Sequence, residues 1–402
     1  MGLDLLGAKE IVNGEHLLLG GRPEKGIPPA PFYKRRYTWD GDLVLGCTIG
    51  CHFCYYRWID TTKDTIGTGR SGLRPIASGK EAASWLARAR LFNPKTDIVL
   101  LSARSDGSMQ YDELDEFLSA YKEETPVFIL HRAPANKRVL AWKEDSRAIL
   151  STTLTPESED FAGSPVRTKD QLRGLRWLLE KGFPPERVSL MLGPLNPANL
   201  EEGLALLEEL ASLGIRFFTY RGTSVGGFGV EPDREELKRK GFLEGAKEVA
   251  PEGHDYYKQK NWLSPELAKA VEARAEALGM KAYRHTGRLY REVFGRRVAY
   301  NRNNRWRRDL GPWGRVGSQK VLSYLEDLGF HPEGVEETEE GYLVHLPPGE
   351  TATEDIAMSA GAHLGTSVVF DRHRIAPTLE DLLFYERNSL FGPLPKGWES
   401  LL

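Results

Sequence analysis

Cysteine is nearly absent: the 402 residues hold three, and all fall within eight consecutive positions, as Cys47, Cys51 and Cys54. An odd, clustered set excludes a disulfide framework and points to a reducing compartment. Long apolar runs are missing too, since no stretch approaches the roughly 18 residues that a membrane span needs. The opening MGLDLLGAKEIVNGEH lacks a basic start followed by an apolar run, so it does not read as a secretory signal. Leu6 spoils a myristoylation motif. Excess charge is also lacking: a net −3 gives no general attraction to nucleic acid or membrane, so any such preference must be local. A cytoplasmic protein without a membrane partner is the expectation.

What is present is an ordinary globular composition, 40% hydrophobic and 28% charged, in a chain long enough for two or three domains. Residues 1–37 are rich in Gly and Pro and then basic, and read as an extended arm. From 38 to 222, short apolar runs alternate with amphipathic stretches. The runs fall at 43–45, 98–101, 127–130, 148–150, 188–192 and 215–218. Thr168 with Gln171 reads as a capping box and Gly182 as the left-handed stop of that helix; Asn199 with Glu202, and Gly214, frame the next. Six strands alternating with helices predict an α/β fold with a parallel sheet, either doubly wound or a partial (βα)6 TIM-like barrel. Residues 223–316 read as a glycine-rich cover loop, a helix over 267–278 between Ser264-Pro265 and Gly279, and a basic, aromatic segment. Residues 317–402 predict a smaller α+β unit with strands near 342–346 and 367–370.

The cysteines are spaced C-x3-C-x2-C at the exit of the first expected strand. Structural zinc takes four ligands, and the fourth would have to be His52, inside the same tight loop, or a remote histidine. A [4Fe–4S] cluster with three protein ligands leaves one iron open to something else. The stretch CTIGCHFCYY resembles the radical S-adenosylmethionine (radical SAM) signature, with Phe53 in its aromatic slot. The resemblance implies a [4Fe–4S] cluster held by Cys47, Cys51 and Cys54, with S-adenosyl-L-methionine (SAM) on the open iron. An electron from a flavodoxin, a ferredoxin or a similar donor then yields a 5′-deoxyadenosyl radical, which takes hydrogen from a substrate.

Softer matches over about 38–220 resemble the spore-photoproduct-lyase-like branch: LLSARSDGSMQYDEL, FILHRAP, ILSTTLTPESEDFAG and LMLGPLNPANLEEGL. They imply a SAM-binding set of Phe53, Tyr55, Ser102, Ser105, Asp106, Arg132 and Ser151, gathered at the carboxyl ends of strands. The lyase itself uses a further cysteine after the second strand as hydrogen donor. Ala103 stands nearest that position and no spare thiol exists, so thymine-lesion repair by that route is not expected. Tyr33, Tyr55, Tyr56 and Tyr220 could return a hydrogen, with Tyr55 and Tyr220 as the catalytic candidates.

Residues 281–314 interleave arginine with aromatic residues. That pattern suits phosphate clamping and base stacking, with Arg296, Arg297, Arg305 and Trp306 as candidate substrate contacts. The competing reading is a basic helix paired with acidic segments of the same chain. His131 is expected to face the cavity, His52 to hydrogen-bond within the cysteine loop, and His285 to lie at the surface. A nucleobase in nucleic acid, or a nucleotide, is the leading substrate class, and a metabolite or peptide is the alternative. A non-catalytic nucleic-acid-binding protein with structural zinc is the alternative of another class.

Overall fold

The computed structural model describes residues 31–35, 38–51, 54, 72–157, 164–225, 248–249, 260–262, 265–284, 286–296, 314–339, 341–350, 352–374 and 379–393. Strands β1 (Phe32–Arg35) and β2 (Thr38–Gly41) pair antiparallel, and β3 (Val44–Leu45) forms a separate ribbon with β4 (Arg74–Pro75). Then follow α1 (Gly79–Ala87), β5 (Ile98–Leu101), α2 (Tyr111–Ala120), β6 (Val127–Leu130), α3 (Lys137–Ala141) and β7 (Ala148–Leu154). The same rhythm continues through α4 (Thr168–Glu180), β8 (Val188–Leu195), α5 (Leu200–Ser212) and β9 (Phe217–Val225). Beyond them lie β10 (Glu248–Val249), β11 (Lys260–Trp262), α6 (Pro265–Ala277), β12 (Lys281–Tyr283) and α7 (Thr286–Phe294).

Strands β2, β5, β6, β7, β8, β9 and β12 are joined in that order by parallel pairing. The order never reverses. A doubly wound sheet reverses at its switch point, whereas successive strands laid down in one direction are the winding of a barrel. The α/β expectation therefore holds in its (βα)6-like form, with β12 as an added seventh parallel strand. On one face, Val99, Leu101, Val127, Ile129, Ala148 and Leu150 pack into a core with Leu114, Phe117, Leu172 and Leu175 of the helices. On the other, Ile98, Phe128, Ile149 and Phe217 meet Tyr283, Leu289 and Tyr290 of β12 and α7. Strands buried on both faces are apolar throughout, which is why they stand out in the sequence as short runs.

Several details differ from expectation. The first parallel strand is Thr38–Gly41, not 43–45, because Trp39 pairs in register with Val99 and packs in the core. Its Thr and Asp residues hide it from a search for apolar runs. Thr168 is not a cap: the N-cap of α4 is Arg167, and the Thr168 hydroxyl donates to the carbonyl of Thr155. The reciprocal capping box before α5 lies one turn earlier, between Asn196 and Asn199. Gly182, Gly214 and Gly279 stand at positive φ just past α4, α5 and α6, as expected of helix stops.

The C-terminal unit comprises α8 (Ser318–Asp327), β13 (Gly334–Thr338), β14 (Gly341–His345), β15 (Ala352–Thr353), α9 (Glu354–Leu364), β16 (Val368–Phe370), β17 (His373–Arg374) and α10 (Leu379–Arg387). Its three-stranded sheet, β13-β14-β16, matches the expected α+β character. It docks on the helical layer, where Trp85 Nε1 donates to the Pro393 carbonyl at 2.9 Å and Phe391 packs edge-on against Trp39.

Helices α1 and α2 approach closely at Gly79. A Cβ there would lie 2.1 Å from the Glu113 carbonyl oxygen and 2.3 Å from the Phe117 nitrogen, both rigid backbone. Gly79→Ala is expected to destabilise the fold by about 1–3 kcal/mol, read as a lower urea midpoint at unchanged slope.

Candidate active site

The chain leaves β2 at Gly41 and enters the cysteine loop through Asp42, Leu43 and β3. Two residues, Asp42 and Gln110, fix that exit. Asp42, fully buried, accepts from the Arg104 backbone N–H and from Arg104 Nε, both at 2.8 Å, and from the Ser105 hydroxyl at 3.3 Å. Burial raises the Asp42 pKa, and the Arg104 guanidinium opposes that rise. Gln110 Oε1 accepts from the backbone N–H of Leu43 at 3.0 Å and of Val44 at 2.9 Å. Gln110 Nε2 donates to the hydroxyls of Ser102 at 2.9 Å and Ser105 at 2.5 Å. Ser102 is held at φ 65°, a conformation that L side chains rarely adopt, and is fully buried.

The next shell comes from β6 and β7. Asp106 caps the 3-10 turn Gly107–Met109 through the Ser108 N–H at 3.0 Å, and its other oxygen accepts from the Arg132 backbone N–H. The Arg132 side chain donates from Nε to Ser164 Oγ at 3.2 Å and from Nη2 to Thr155 Oγ1 at 2.6 Å. Thr155 in turn donates to the Gly193 carbonyl at 2.9 Å, and Gln171 clamps the Arg132 carbonyl at 2.7 Å. Ser164 Oγ lies 3.4 Å from Cys51 Sγ. One network thus links the cysteine loop to the carboxyl ends of β5, β6, β7 and β8.

Cys51 is buried, and Cys47 and Cys54 are half-buried. Burial pushes the Cys47 thiol up to about 12, with the Asp106 carboxylate adding to the rise and the Ile49 N–H opposing it. The two other cysteines also raise it, as like charges do at close range. Cys47 is therefore a protonated thiol at neutral pH. Among the described residues, no three Cys, His, Asp or Glu side chains are grouped so as to hold one metal ion. As a donor set, three thiols on one loop suit an iron–sulfur cluster, which takes each thiolate on a separate iron.

The structure brings Cys47, Cys51, Cys54, Ser102, Ser105, Asp106 and Arg132 to one end of the sheet. Ser151 lies on the same face of β7 as Ile149, in register with Leu130 and Ser189. Phe53, Tyr55, Tyr56 and His52 lie outside the described residues, as does the side chain of Tyr33. Tyr220 is not brought to the site. It sits in the core beneath the helices, where its hydroxyl donates to Glu272 of α6 and accepts from Arg284 Nε at 2.8 Å. His131 also faces the helices, 2.7 Å from the Tyr111 hydroxyl, and burial lowers its pKa.

Arg296 lies at the opposite end of the sheet. Its guanidinium donates to the carbonyls of Pro94 and Lys95 at 2.9 Å and of Glu124 at 3.3 Å, just ahead of β5 and β6. It is a structural clamp and not a substrate contact at the cysteine end. Arg284 and Arg288 are paired with Glu272 and Glu292, at 2.9 and 2.6 Å. Arg297, Arg305, Trp306 and His285 lie outside the described residues. Sequence reasoning missed Asp42, Gln110, Thr155 and Ser164. Only Ser164 carried a signal, as a serine two residues ahead of the Val166 N–H that it accepts at 3.2 Å.

No family model and no curated protein matches the sequence. Solved structures do. A spore photoproduct lyase variant with bound AdoMet and dinucleoside spore photoproduct is similar over 61% of this chain and 75% of its own, at 13% identity and a TM-score of 0.46. A radical SAM methyltransferase from Sphaerobacter thermophilus is similar over 61% and 65%, at 14% identity and a TM-score of 0.40. SuiB from Streptococcus suis, bound to S-adenosylmethionine, is similar over 49% and 44%, at 17% identity and a TM-score of 0.35. The Sphaerobacter protein is named as a radical SAM enzyme, and the lyase and SuiB structures are named with bound S-adenosylmethionine. At such identities the likeness is distant.

Among the described residues no helix is long and apolar enough to cross a membrane. Replacing Gln110 by Ala leaves two buried backbone N–H groups without their acceptor. It is expected to cost about 2–5 kcal/mol of stability, measured by chemical denaturation of the metal-free protein.

Proposed function

We propose that the chain is a radical SAM enzyme. The observation that carries this is the set of three cysteines on the loop leaving β2, tied through Ser164 and Arg132 to the neighbouring strand ends. Cys47, Cys51 and Cys54 would hold a [4Fe–4S] cluster, and Ser102, Ser105, Asp106, Arg132 and Ser151 are the described candidates to line bound SAM. When bound and reduced by an external donor of the flavodoxin or ferredoxin class, that pair supplies a 5′-deoxyadenosyl radical for hydrogen abstraction.

The chain's own part is position and exclusion of water. Gln110 and Asp42 hold the loop entrance, Asp106 sets the backbone of Arg132, and buried Arg132 offsets the negative charge that three thiolates bring. Zinc is the weaker reading, because a single zinc ion needs its ligands to converge at about 2.3 Å from each sulfur.

The substrate reading changes weight. Three of the four described arginines of the basic segment, Arg284, Arg288 and Arg296, are engaged within the protein. A nucleobase or nucleotide substrate therefore rests on Arg297, Arg305 and Trp306, with a metabolite or peptide as the alternative.

Anaerobic reconstitution is expected to give close to four irons per chain, as a [4Fe–4S] cluster requires, and reductive formation of 5′-deoxyadenosine. Cys51→Ala is expected to abolish both; one tightly held zinc and no deoxyadenosine would sink the proposal. Binding to single-stranded DNA or RNA is expected to weaken steeply as salt rises, if these residues meet phosphates. A flat response or no binding selects the small-molecule alternative.

A further inference from the structure

The hydrogen bond between Ser164 and Cys51 has a direction that its surroundings decide. A hydroxyl has one proton to donate and two lone pairs to accept with. Ser164 Oγ receives the Nε–H of Arg132 at 3.2 Å and the backbone N–H of Val166 at 3.2 Å. Both acceptor positions are then filled, and the remaining proton is left for Cys51 Sγ at 3.4 Å. Ser164 is 5% exposed and Arg132 is 9% exposed, so water competes little for either group. The guanidinium is itself fixed, since Thr155, which accepts from Nη2, spends its own proton on the Gly193 carbonyl.

We infer that Ser164 is a positioning residue that tunes the reduction potential of the cluster bound through Cys51. This rests on the proposed radical SAM reading. Reduction adds one electron from the external donor to the oxidised cluster, with no proton transferred and no bond made or broken at Ser164. The added negative charge spreads onto the sulfur ligands. An O–H aimed at one of them, backed by the Arg132 cation, favours the reduced state, and hydrogen bonds to sulfur are among the levers that set such potentials. The same contact joins the cysteine loop to the segment between β7 and α4, so the tuning group comes from a part of the chain remote from the cysteine motif.

The test is a redox titration of the reconstituted protein, followed by the paramagnetic signal of the reduced cluster, in wild type, Ser164→Ala and Ser164→Thr. Ser164→Ala is expected to lower the reduced-to-oxidised ratio at fixed ambient potential by roughly three- to tenfold, tenfold being about 59 mV for one electron. Ser164→Thr, which keeps the hydroxyl, is expected to restore it. Equal potentials in wild type and Ser164→Ala overturn the inference. So does loss of the cluster in both variants, which would make the residue one of assembly. Loss in Ser164→Ala alone, with the wild-type potential in Ser164→Thr, assigns the hydroxyl to assembly and overturns the tuning as well. Failure of the wild type to take up a cluster overturns the functional reading instead, so the two failures are distinct.

Discussion

The site hangs on one buried carboxamide. Gln110 has two donors and two acceptor positions, and all four are spent: on Ser102 and Ser105, and on the N–H groups of Leu43 and Val44. The residue follows the short turn Gly107–Met109, which Asp106 caps, and that turn lies against the end of β6. A Cβ on Gly107 would meet the Leu130 carbonyl oxygen at 3.1 Å, so only glycine allows the approach without displacement. A charged Glu could accept the two N–H bonds, yet it has no donor for Ser105, whose own proton goes to Asp42.

Buried charges fix the strand that precedes the cysteines. Asp42 and Arg104 pair at its carboxyl end, and Lys34 meets Asp97 at 3.2 Å near its amino end. Asp97 also accepts from Trp39 Nε1 at 2.7 Å. Such pairs contribute little net stability once desolvation is counted, but leaving one partner alone is costly. Here the pairs act on register. A one-residue slip of β2 would carry Trp39 to the other face of the sheet and separate it from Asp97. The register in turn decides where Asp42 emerges and where the cysteine loop starts.

How much of this could be read from the sequence follows from which forces leave a local mark. Buried parallel strands and helix stops do so, as apolar runs and as glycines past helix ends, and both were legible. The three-cysteine motif was legible because its spacing is specific. Strand β2 was not, since Thr38-Trp39-Asp40-Gly41 is buried by tertiary contacts that no local pattern announces. Long-range partners were equally hidden. Ser164 and Cys51 are 113 positions apart, and nothing in either segment names the other. Tyr220 falls inside β9, not at the end of the 215–218 run, and shares the helix-facing side of the sheet with its register partner Leu192.

The basic segment shows the limit of composition most clearly. Arginine beside aromatic residues suits phosphate and stacked bases, yet carbonyl oxygens and rings of the same chain present the same chemistry. In this fold, α7 covers the sheet face formed by Ile98, Phe128, Ile149 and Phe217, and its Tyr290 and Phe294 pack on Phe128 at 4.7 and 4.9 Å. Just past that helix, Arg296 reaches the carbonyls that precede β5 and β6, which have no partner within a sheet that begins after them. A guanidinium with five N–H donors can serve several such oxygens at once, where a lysine could offer only a point charge. The aromatic residues fill the face and the arginine closes its amino-terminal edge. The two ends of the sheet therefore differ in kind, because Arg296 and the rings of α7 hold the amino-terminal end and polar loops around the cysteines form the other.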